Sequence, residues 1–146
     1  MSSKIKGKSQ LIAKLKRLSK ETSLPVRQVV AKSALKLEGD AKTLIAKGSR
    51  SGEAYSRGGE SSVRSAPGEA PKSDRGILVA FINSKVSPSG LEATIGTTLT
   101  YGRYLEFGTN RMEARPWLQP TFEKNKKSIV LNINNAVKKA LRKVSK

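Results

Sequence analysis

Residues 101–123 read YGRYLEFGTNRMEARPWLQPTFE, and this stretch has the most distinctive composition in the chain. It holds the only Trp, two of the three Phe, two of the three Tyr and two of the six Pro. Aromatic residues make up only 5% of the sequence, so their concentration here marks the place where a small core is anchored. The segments on either side are therefore predicted to pack around it.

Local sequence within this stretch predicts a short helix, a polar loop and the start of a long helix. Tyr101 and Tyr104 share one side of a helical turn, which Gly108 ends. Because a residue before proline avoids the α conformation, Arg115 is predicted to be extended. The last helix then covers residues 117–144, with an apolar stripe at Leu118, Phe122, Ile129, Ile133, Val137, Leu141 and Val144.

The N-terminal region predicts two helices. Residues 1–20 form a basic extension, in which residues 1–8 are expected to be disordered and the remainder to form a short amphipathic helix. A longer helix is expected to begin at Thr22 or Ser23, either of which can cap it, with Pro25 in its first turn. Its apolar stripe consists of Val26, Val30, Ala34, Leu37, Ala41 and Leu44.

A change of composition after the long helix predicts a flexible arm over residues 48–76. Gly48 is expected to end the helix in a left-handed conformation. The arm is rich in Gly, Ser, Pro and charge and shows no periodicity. A loop of this length is either functional, ordering on contact with a neighbour, or a mobile surface loop, and both interpretations stay open.

Residues 77–123 predict a small sheet followed by the aromatic stretch. Residues 77–82 are a short apolar run rich in β-formers and predict a strand. A turn at residues 88–90 leads to alternating apolar and polar residues as far as Leu99, which predict a second, antiparallel strand. Residues 1–146 are thus expected to form one α+β domain. A small antiparallel sheet is packed by a long N-terminal helix and a C-terminal helix, with the arm between helix and sheet.

Positive charge is concentrated at the two ends of the chain. There are 29 Lys and Arg against 11 Asp and Glu, a formal net charge of +18. Residues 4–20 hold seven basic residues and residues 124–146 hold eight, with no acid in either, which leaves +3 for the middle. Cationic ends attract polyanions or acidic partners, unless they serve only solubility. The candidate contacts are Lys14, Lys16, Arg17, Lys138, Lys139, Arg142 and Lys143.

Residue types that carry catalysis are scarce. The chain has no cysteine and no histidine, the commonest metal ligands, and no run approaches the ~18 apolar residues of a membrane span. Glu106 and Glu113 are the closest acidic pair within the aromatic stretch and would be the carboxylates of a hydrolase. An ion pair between Glu106 and a nearby arginine is the stronger interpretation; the candidates are Arg103, Arg111 and Arg115. The sequence therefore predicts no enzyme, no cofactor and no metal site.

Two motifs in the second half of the chain resemble a known family. The first comprises Tyr101, Tyr104, Leu105, Glu106, Phe107, Gly108 and Thr109, followed by Met112; the second comprises Ala114, Arg115, Pro116, Trp117, Leu118 and Pro120. Upstream, residues 65–71 read SAPGEAP. This order is similar to that of small phage tail-component proteins, called tail-completion, neck or head–tail joining proteins, whose genes lie beside the head–tail connector genes. The resemblance covers about residues 65–123.

The resemblance implies an α+β structural protein of the virion without enzymatic activity or cofactor. It implies a homo-oligomeric ring, hexameric in the family, at the neck or tail top of a tailed bacteriophage, made in the host cytoplasm. The ring would join the tail to the neighbouring connector and contact the tail terminator or tail tube proteins. The packaged DNA end is a further candidate partner, and no membrane is involved.

The resemblance also implies tasks for single residues. Glu106 and Arg115 would brace the loop between the two motifs, and Trp117 and Phe107 would pack that loop on the sheet. The arm would cross to an adjacent subunit or a connector protein, and the basic ends would face an acidic partner ring in preference to DNA. The residues expected to serve assembly are Tyr101, Tyr104, Glu106, Phe107, Gly108, Thr109, Arg115, Pro116 and Trp117.

A second function class is a basic, sequence-independent nucleic-acid-binding protein. The basic ends contain almost no aromatic residues, so base stacking is disfavoured and any contact would be to the phosphate backbone. Such a protein would bind random DNA with a steep salt dependence and would not assemble, which separates it from a ring component.

Overall fold

The computed structural model describes residues 8–144 and has the predicted α+β fold. Two long helices pack along each other, and one of two small antiparallel sheets packs on the first helix. Residues 1–7, which were predicted to be disordered, lie outside the described residues. Lys8, which was included in that prediction, is the first residue of a helix.

The first helix, α1 (Lys8–Ala46), is continuous over 39 residues, so the prediction of two helices was wrong. Pro25 lies inside it and lacks an N–H, which removes one intrahelical hydrogen bond without ending the helix. Thr22 and Ser23 do not cap a new helix. Their hydroxyls donate to carbonyls of the preceding turn, at 2.8 Å and 3.0 Å, which satisfies these side chains within a helix.

The last helix, α4 (Leu118–Val144), runs antiparallel to α1. Trp117, just before α4, packs with Ile45 near the end of α1. Eight residues further on, the side-chain amide of Asn125 donates to Asp40 at 2.8 Å. Residue numbers therefore rise along α4 where they fall along α1, which makes the two helices antiparallel. The buried residues along the helix pair include Ala34, Leu37 and Ala140.

The two helices differ in length, and this leaves part of α1 uncovered. At about 1.5 Å per residue, the 39 residues of α1 span about 58 Å and the 27 residues of α4 about 40 Å. Because the pair starts at the C-terminal end of α1, the first turns of α1 project beyond the last turn of α4. The large apolar side chains of Leu11, Ile12 and Leu15 are accordingly exposed.

A β-hairpin forms the sheet that packs on α1, as predicted. The strands β3 (Ile82–Val86) and β4 (Ala93–Thr97) are antiparallel, with Ile82 opposite Thr97. The first strand was expected at residues 77–82, which was wrong: residues before Ile82 form a short helix, α2 (Ile77–Ala80), and β3 begins at the last residue of the predicted strand. Burial explains the difference, because Leu78 and Ile82 are buried at a spacing of four residues, which is helical rather than extended.

The segment predicted as an arm, residues 48–76, contains a second hairpin. The strands β1 (Ala54–Arg57) and β2 (Glu60–Val63) pair antiparallel. Gly58 and Gly59 make the turn, with φ of 59° and 87°, a conformation that glycine adopts without a steric penalty. The segment therefore has secondary structure of its own, and its flexibility stays a prediction.

Gly48 is required by a close approach and not by a left-handed turn, which corrects the prediction made for it. Its φ lies outside the left-handed region. A Cβ atom at this position would lie 2.5 Å from the carbonyl oxygen of Pro71. The N–H of Ser73 also donates to the carbonyl of Ile45 at 3.0 Å, so the two ends of the arm meet at the end of α1.

The core lies where α1, α2, β3 and the start of α4 meet. Its buried residues are Ala41, Ile45, Leu78, Ile82 and Trp117, with Val79, Ile95, Leu99, Leu105 and Leu118 packed against them. The aromatic stretch thus contributes the largest side chain of a small core.

Candidate functional site

Glu106 fastens the short helix α3 (Thr100–Phe107) to the start of α4. Its buried carboxylate accepts hydrogen bonds from the backbone N–H groups of Trp117, Leu118 and Gln119, at 2.7, 2.8 and 2.8 Å. These are orphan donors at a helix N-terminus, where a negative charge also complements the helix dipole. The predicted ion pair with Arg103, Arg111 or Arg115 is therefore wrong: Glu106 is a long-range N-terminal cap.

Trp117 is fixed by both packing and a hydrogen bond. The indole is buried in the core and its Nε1–H donates to the carbonyl of Gly102 at 3.0 Å. A Cβ on Gly102 would meet Thr97 Cγ2 at 2.4 Å and Leu78 Cδ1 at 3.1 Å, so only glycine fits at this position of α3. The sequence prediction had not included Gly102, although a glycine within a helical aromatic motif is a signal of close packing.

Arg115 joins the second motif to residues 65–71, which we call the strap. Its Nε donates to the carbonyl of Ser65 at 3.0 Å, and its backbone N–H donates to the carbonyl of Leu105 at 2.6 Å. The N–H of Gly68 donates in turn to the carbonyl of Ala114 at 2.8 Å. Arg115 therefore braces the loop as expected, but through backbone carbonyls and not through Glu106.

The strap is held in shape by Glu69. Its carboxylate accepts from the backbone N–H of Ala66 at 3.3 Å and from the hydroxyl of Ser51. Hydrogen bonds from Ser51, and then from Ser49, hold the pKa of Glu69 below its usual value. The same carboxylate thus connects the turn of the strap to the start of the arm.

The polar loop between the two motifs closes on itself. Gly108 ends α3 at a φ of 73°, and a Cβ there would lie 2.8 Å from the carbonyl oxygen of Met112. Thr109 and Met112 exchange two backbone hydrogen bonds, at 2.7 and 3.2 Å. Pro116 is half-buried next to Trp117. The motif residues therefore fix a loop conformation, which accounts for the Gly and Pro at these positions.

Three aromatic side chains of α3 point outward. Tyr101, Tyr104 and Phe107 are 42%, 48% and 75% exposed. Phe107 was expected to pack on the sheet with Trp117, and this expectation was wrong. The three residues are spaced i, i+3 and i+6, so they follow one side of a helix that Glu106 and Arg115 hold in place.

The predicted cationic contacts lie at one end of the helix pair. Lys14, Lys16 and Arg17 are exposed on the first turns of α1, and Lys138, Lys139, Arg142 and Lys143 are exposed on the last turns of α4. Since the two helices are antiparallel, the last turns of α4 lie towards the N-terminal end of α1. Two segments far apart in sequence thus form one basic end of the molecule.

Between residues 8 and 144, no group of three or more His, Cys, Asp and Glu side chains is placed to hold a metal ion. Of the helices in this range, none combines the length and apolar character needed to cross a membrane.

Comparison with known protein families identifies a match. The HK97-gp10-like family, described as "Bacteriophage HK97-gp10, putative tail-component", matches residues 9–108. The match spans about two thirds of the chain and takes in nearly all of α1, both hairpins, the strap and the first motif as far as Gly108. No curated protein and no solved structure matches the chain. This match to the sequence shows that the chain belongs to the HK97-gp10-like family of bacteriophage tail components.

Proposed function

We propose that this tail component is a structural protein of the head–tail junction, which assembles as a ring and joins the tail to the connector. Family membership supports a structural role in the virion without enzymatic activity. The finer location at the neck or tail top is supported by the two motifs that resemble tail-completion proteins. The partners would be copies of this chain, the connector, and tail terminator or tail tube proteins.

The exposed aromatic side of α3 is the observation that carries the proposal. Tyr104 and Phe107 are large side chains that an isolated chain leaves in water. Aromatic residues are enriched at protein interfaces and supply much of their binding energy. Because Glu106 and Arg115 hold α3 in place, little further ordering is required when a partner covers it. A rigid aromatic surface of this kind supports assembly with a second copy or with the connector.

The basic end of the helix pair supports an acidic partner for the ring. Exposed lysines such as Lys14 and Lys138 lie on two antiparallel helices and reinforce each other's field. An adjacent ring with acidic side chains would bind here with an affinity that falls as salt rises. The arm, residues 48–76, would contact a neighbouring subunit or the connector.

The test is the solution mass of the purified chain by light scattering, with Tyr104→Ser combined with Phe107→Ser as the variant. The wild-type chain is expected to form a discrete oligomer at tens of micromolar, and the variant to remain monomeric. Phe122→Ser, an exposed aromatic on α4, is the matched control and should leave the mass unchanged. A wild-type chain that is monomeric alone and with the purified connector would contradict the ring.

A phage that lacks the chain tests the location. Removing the gene product is expected to give DNA-filled heads and separate tails that do not join, visible by negative-stain electron microscopy. Adding purified chain to the two fractions should restore infectious particles. Normal particles in its absence would exclude the proposed role at the junction.

A second candidate is sequence-independent nucleic-acid binding, which the common location of the two basic segments favours. The measurement is the affinity for a random duplex at about 50 mM and about 200 mM salt. A steep loss with salt, abolished by Lys138→Glu with Lys139→Glu, would favour this function. A weak affinity at the higher salt, together with a discrete oligomer, would favour the ring.

A further inference from the structure

A groove of about 990 Å³ lies between the β1–β2 hairpin and the motif region. One wall is formed by the hairpin, where Tyr55 and Arg57 lie on the same face of β1 and Arg64 follows β2. The other wall includes Leu105 of α3 and Arg111 of the polar loop, and the strap runs between the walls. The hydrogen bonds that fix the strap and the loop therefore also fix the shape of the groove.

The groove has an excess of positive charge, and four of its six basic side chains are free to bind. Six basic and three acidic side chains line it. Within residues 8–144, the side chains of Arg50, Arg57, Lys72 and Arg111 make no hydrogen bond and no ion pair. Unpaired guanidinium groups around a concave surface favour carboxylates, which they bind in a bidentate manner.

An apolar pocket adjoins the groove and gives it a second kind of contact. The pocket has a volume of about 420 Å³; it shares the apolar surfaces of Tyr101, Leu105 and Pro71 with the groove, together with polar residues that include Arg57 and Asp74. It adds the core residues Ile45 and Leu78 at its base. A single apolar side chain that enters this pocket would place its flanking residues against the free arginines.

We propose that this groove docks an acidic, extended segment of another protein, with an apolar side chain of that segment in the adjoining pocket. The inference rests on the proposed structural role only in taking the partner to be a protein of the same virion. The segment comes from a different protein, because the 11 acidic residues of this chain are scattered and no two are adjacent.

The composition of the groove favours a peptide over a nucleic-acid strand. A phosphate backbone carries a charge at every step and has no apolar side chain to fill the pocket. Glu53, Asp74 and Glu113 interrupt the basic surface and would repel such a uniform polyanion. A peptide can place its acids opposite the arginines and an uncharged residue opposite each acid.

The test measures binding of a fluorescein-labelled peptide of sequence DSELSDSLESD, in which acids are interspersed with uncharged residues, to the full chain by anisotropy at about 150 mM salt. The wild-type chain is expected to bind it, and Arg57→Glu with Arg111→Glu to weaken binding by about tenfold or more. Lys138→Glu with Lys139→Glu makes the same change of net charge on α4, outside the groove, and should change the affinity by less than about twofold.

Three comparisons decide whether the groove, its pocket and its charge are responsible. Arg57→Gln with Arg111→Gln, checked for folding by circular dichroism, should also weaken binding, since both side chains are exposed and unpaired. A peptide with Ser in place of Leu should bind several-fold more weakly, and one with Lys in place of the acids should not bind. Equal affinities for the Leu and Ser peptides would overturn the assignment of the pocket.

Other results would overturn the proposal as a whole. These are no binding of the acidic peptide by the wild-type chain, equal weakening by the groove and α4 variants, or displacement of the peptide by a single-stranded oligonucleotide that binds more tightly. If the chain binds the peptide but forms no ring, the proposed docking groove is supported and the proposed ring is contradicted. If the chain forms a ring but does not bind the peptide, only the docking groove is contradicted.

Discussion

The two halves of α1 have the same apolar periodicity and opposite burial. In the C-terminal half, Ala41 and Ile45 are fully buried, whereas Leu11 and Leu15 in the N-terminal half are 59% and 56% exposed. The difference lies in the neighbour, because α4 is the shorter helix and covers only the C-terminal part of α1. Periodicity therefore indicates which face of a helix is apolar, and the neighbour's length decides how much of that face is buried.

The largest expected effect comes from removing the side chain that covers the C-terminal half. Trp117→Ala deletes a buried ring that packs on Ala41 and Ile45 and breaks its hydrogen bond to Gly102. It is expected to lower the free energy of unfolding by about 3–5 kcal/mol, measured by urea titration. At protein concentrations where the chain is monomeric, Phe107→Ala removes an exposed ring ten residues earlier and should cost less than about 0.5 kcal/mol. Similar costs for the two variants would mean that Phe107 is covered in solution.

The second largest effect is expected from removing the side chain that attaches the start of α4 to α3. Glu106→Ala leaves three backbone N–H groups at the start of α4 without their acceptor, and Trp117 begins that turn. The expected loss is about 1–3 kcal/mol of unfolding free energy, because the hydrogen bonds of these donors are buried or half-buried. Glu113→Ala changes an exposed acid in the same loop and serves as the control in the same titration. A loss no greater than that of the control would show that solvent can replace the cap.

Comparison of these regions also shows which features a single sequence reveals. The α+β class, the second strand of the β3–β4 hairpin, α3 and α4 follow from local periodicity and from Gly and Pro positions, and the structure confirms them, whereas the first strand lies later in the sequence than predicted. The β1–β2 hairpin was missed although a Gly-Gly pair, residues 58–59, is a two-residue turn signal. The surrounding strands are short and polar, so their composition resembles that of a loop.

Other features depend on tertiary contacts and leave no local signal. The continuity of α1 through Pro25 is not evident from the sequence, because Thr22, Ser23 and Pro25 also suit the start of a new helix. Glu106 accepts hydrogen bonds from backbone groups that are 11 to 13 positions away in the sequence. From the sequence alone, an ion pair with a neighbouring arginine was the simpler expectation. The groove requires the hairpin and the motif loop to face each other, which no spacing within either segment indicates.

Glu38 connects the C-terminal half of α1 to the β3–β4 sheet, and the contribution of this contact to stability is expected to depend on pH. Its carboxylate accepts from Lys42 at 2.6 Å and from the backbone N–H and hydroxyl of Ser84 at 2.8 and 2.6 Å. The side-chain hydrogen bond from Lys42, followed by that from Ser84, lowers the pKa of Glu38 from 4.5 to about 2. This contribution to stability is present above pH 4.5 and is lost as the pH falls towards 2.

Replacing Glu38 by Gln is therefore expected to destabilise the chain at neutral pH and to matter less in acid. The expected loss at pH 7 is about 1–2 kcal/mol of unfolding free energy. Urea titrations of the variant and the wild-type chain at neutral pH and near pH 3 provide the measurement. Glu92→Gln, an exposed glutamate beyond the β3–β4 turn, is the control. A difference between variant and wild type that stays constant with pH would contradict the lowered pKa.

The smallest expected effect lies in the projecting half of α1. Leu15→Ala removes an exposed side chain and introduces a better helix former, so the unfolding free energy should change by less than about 0.5 kcal/mol. Leu37→Ala makes the same substitution on the buried half of the same helix and should cost about 2–4 kcal/mol. Both values come from urea titrations at two protein concentrations. If Leu15→Ala costs more than about 1 kcal/mol and the cost grows with concentration, a second copy covers the projecting turns. The two halves of α1 would then differ in which chain buries them and not in whether they are buried.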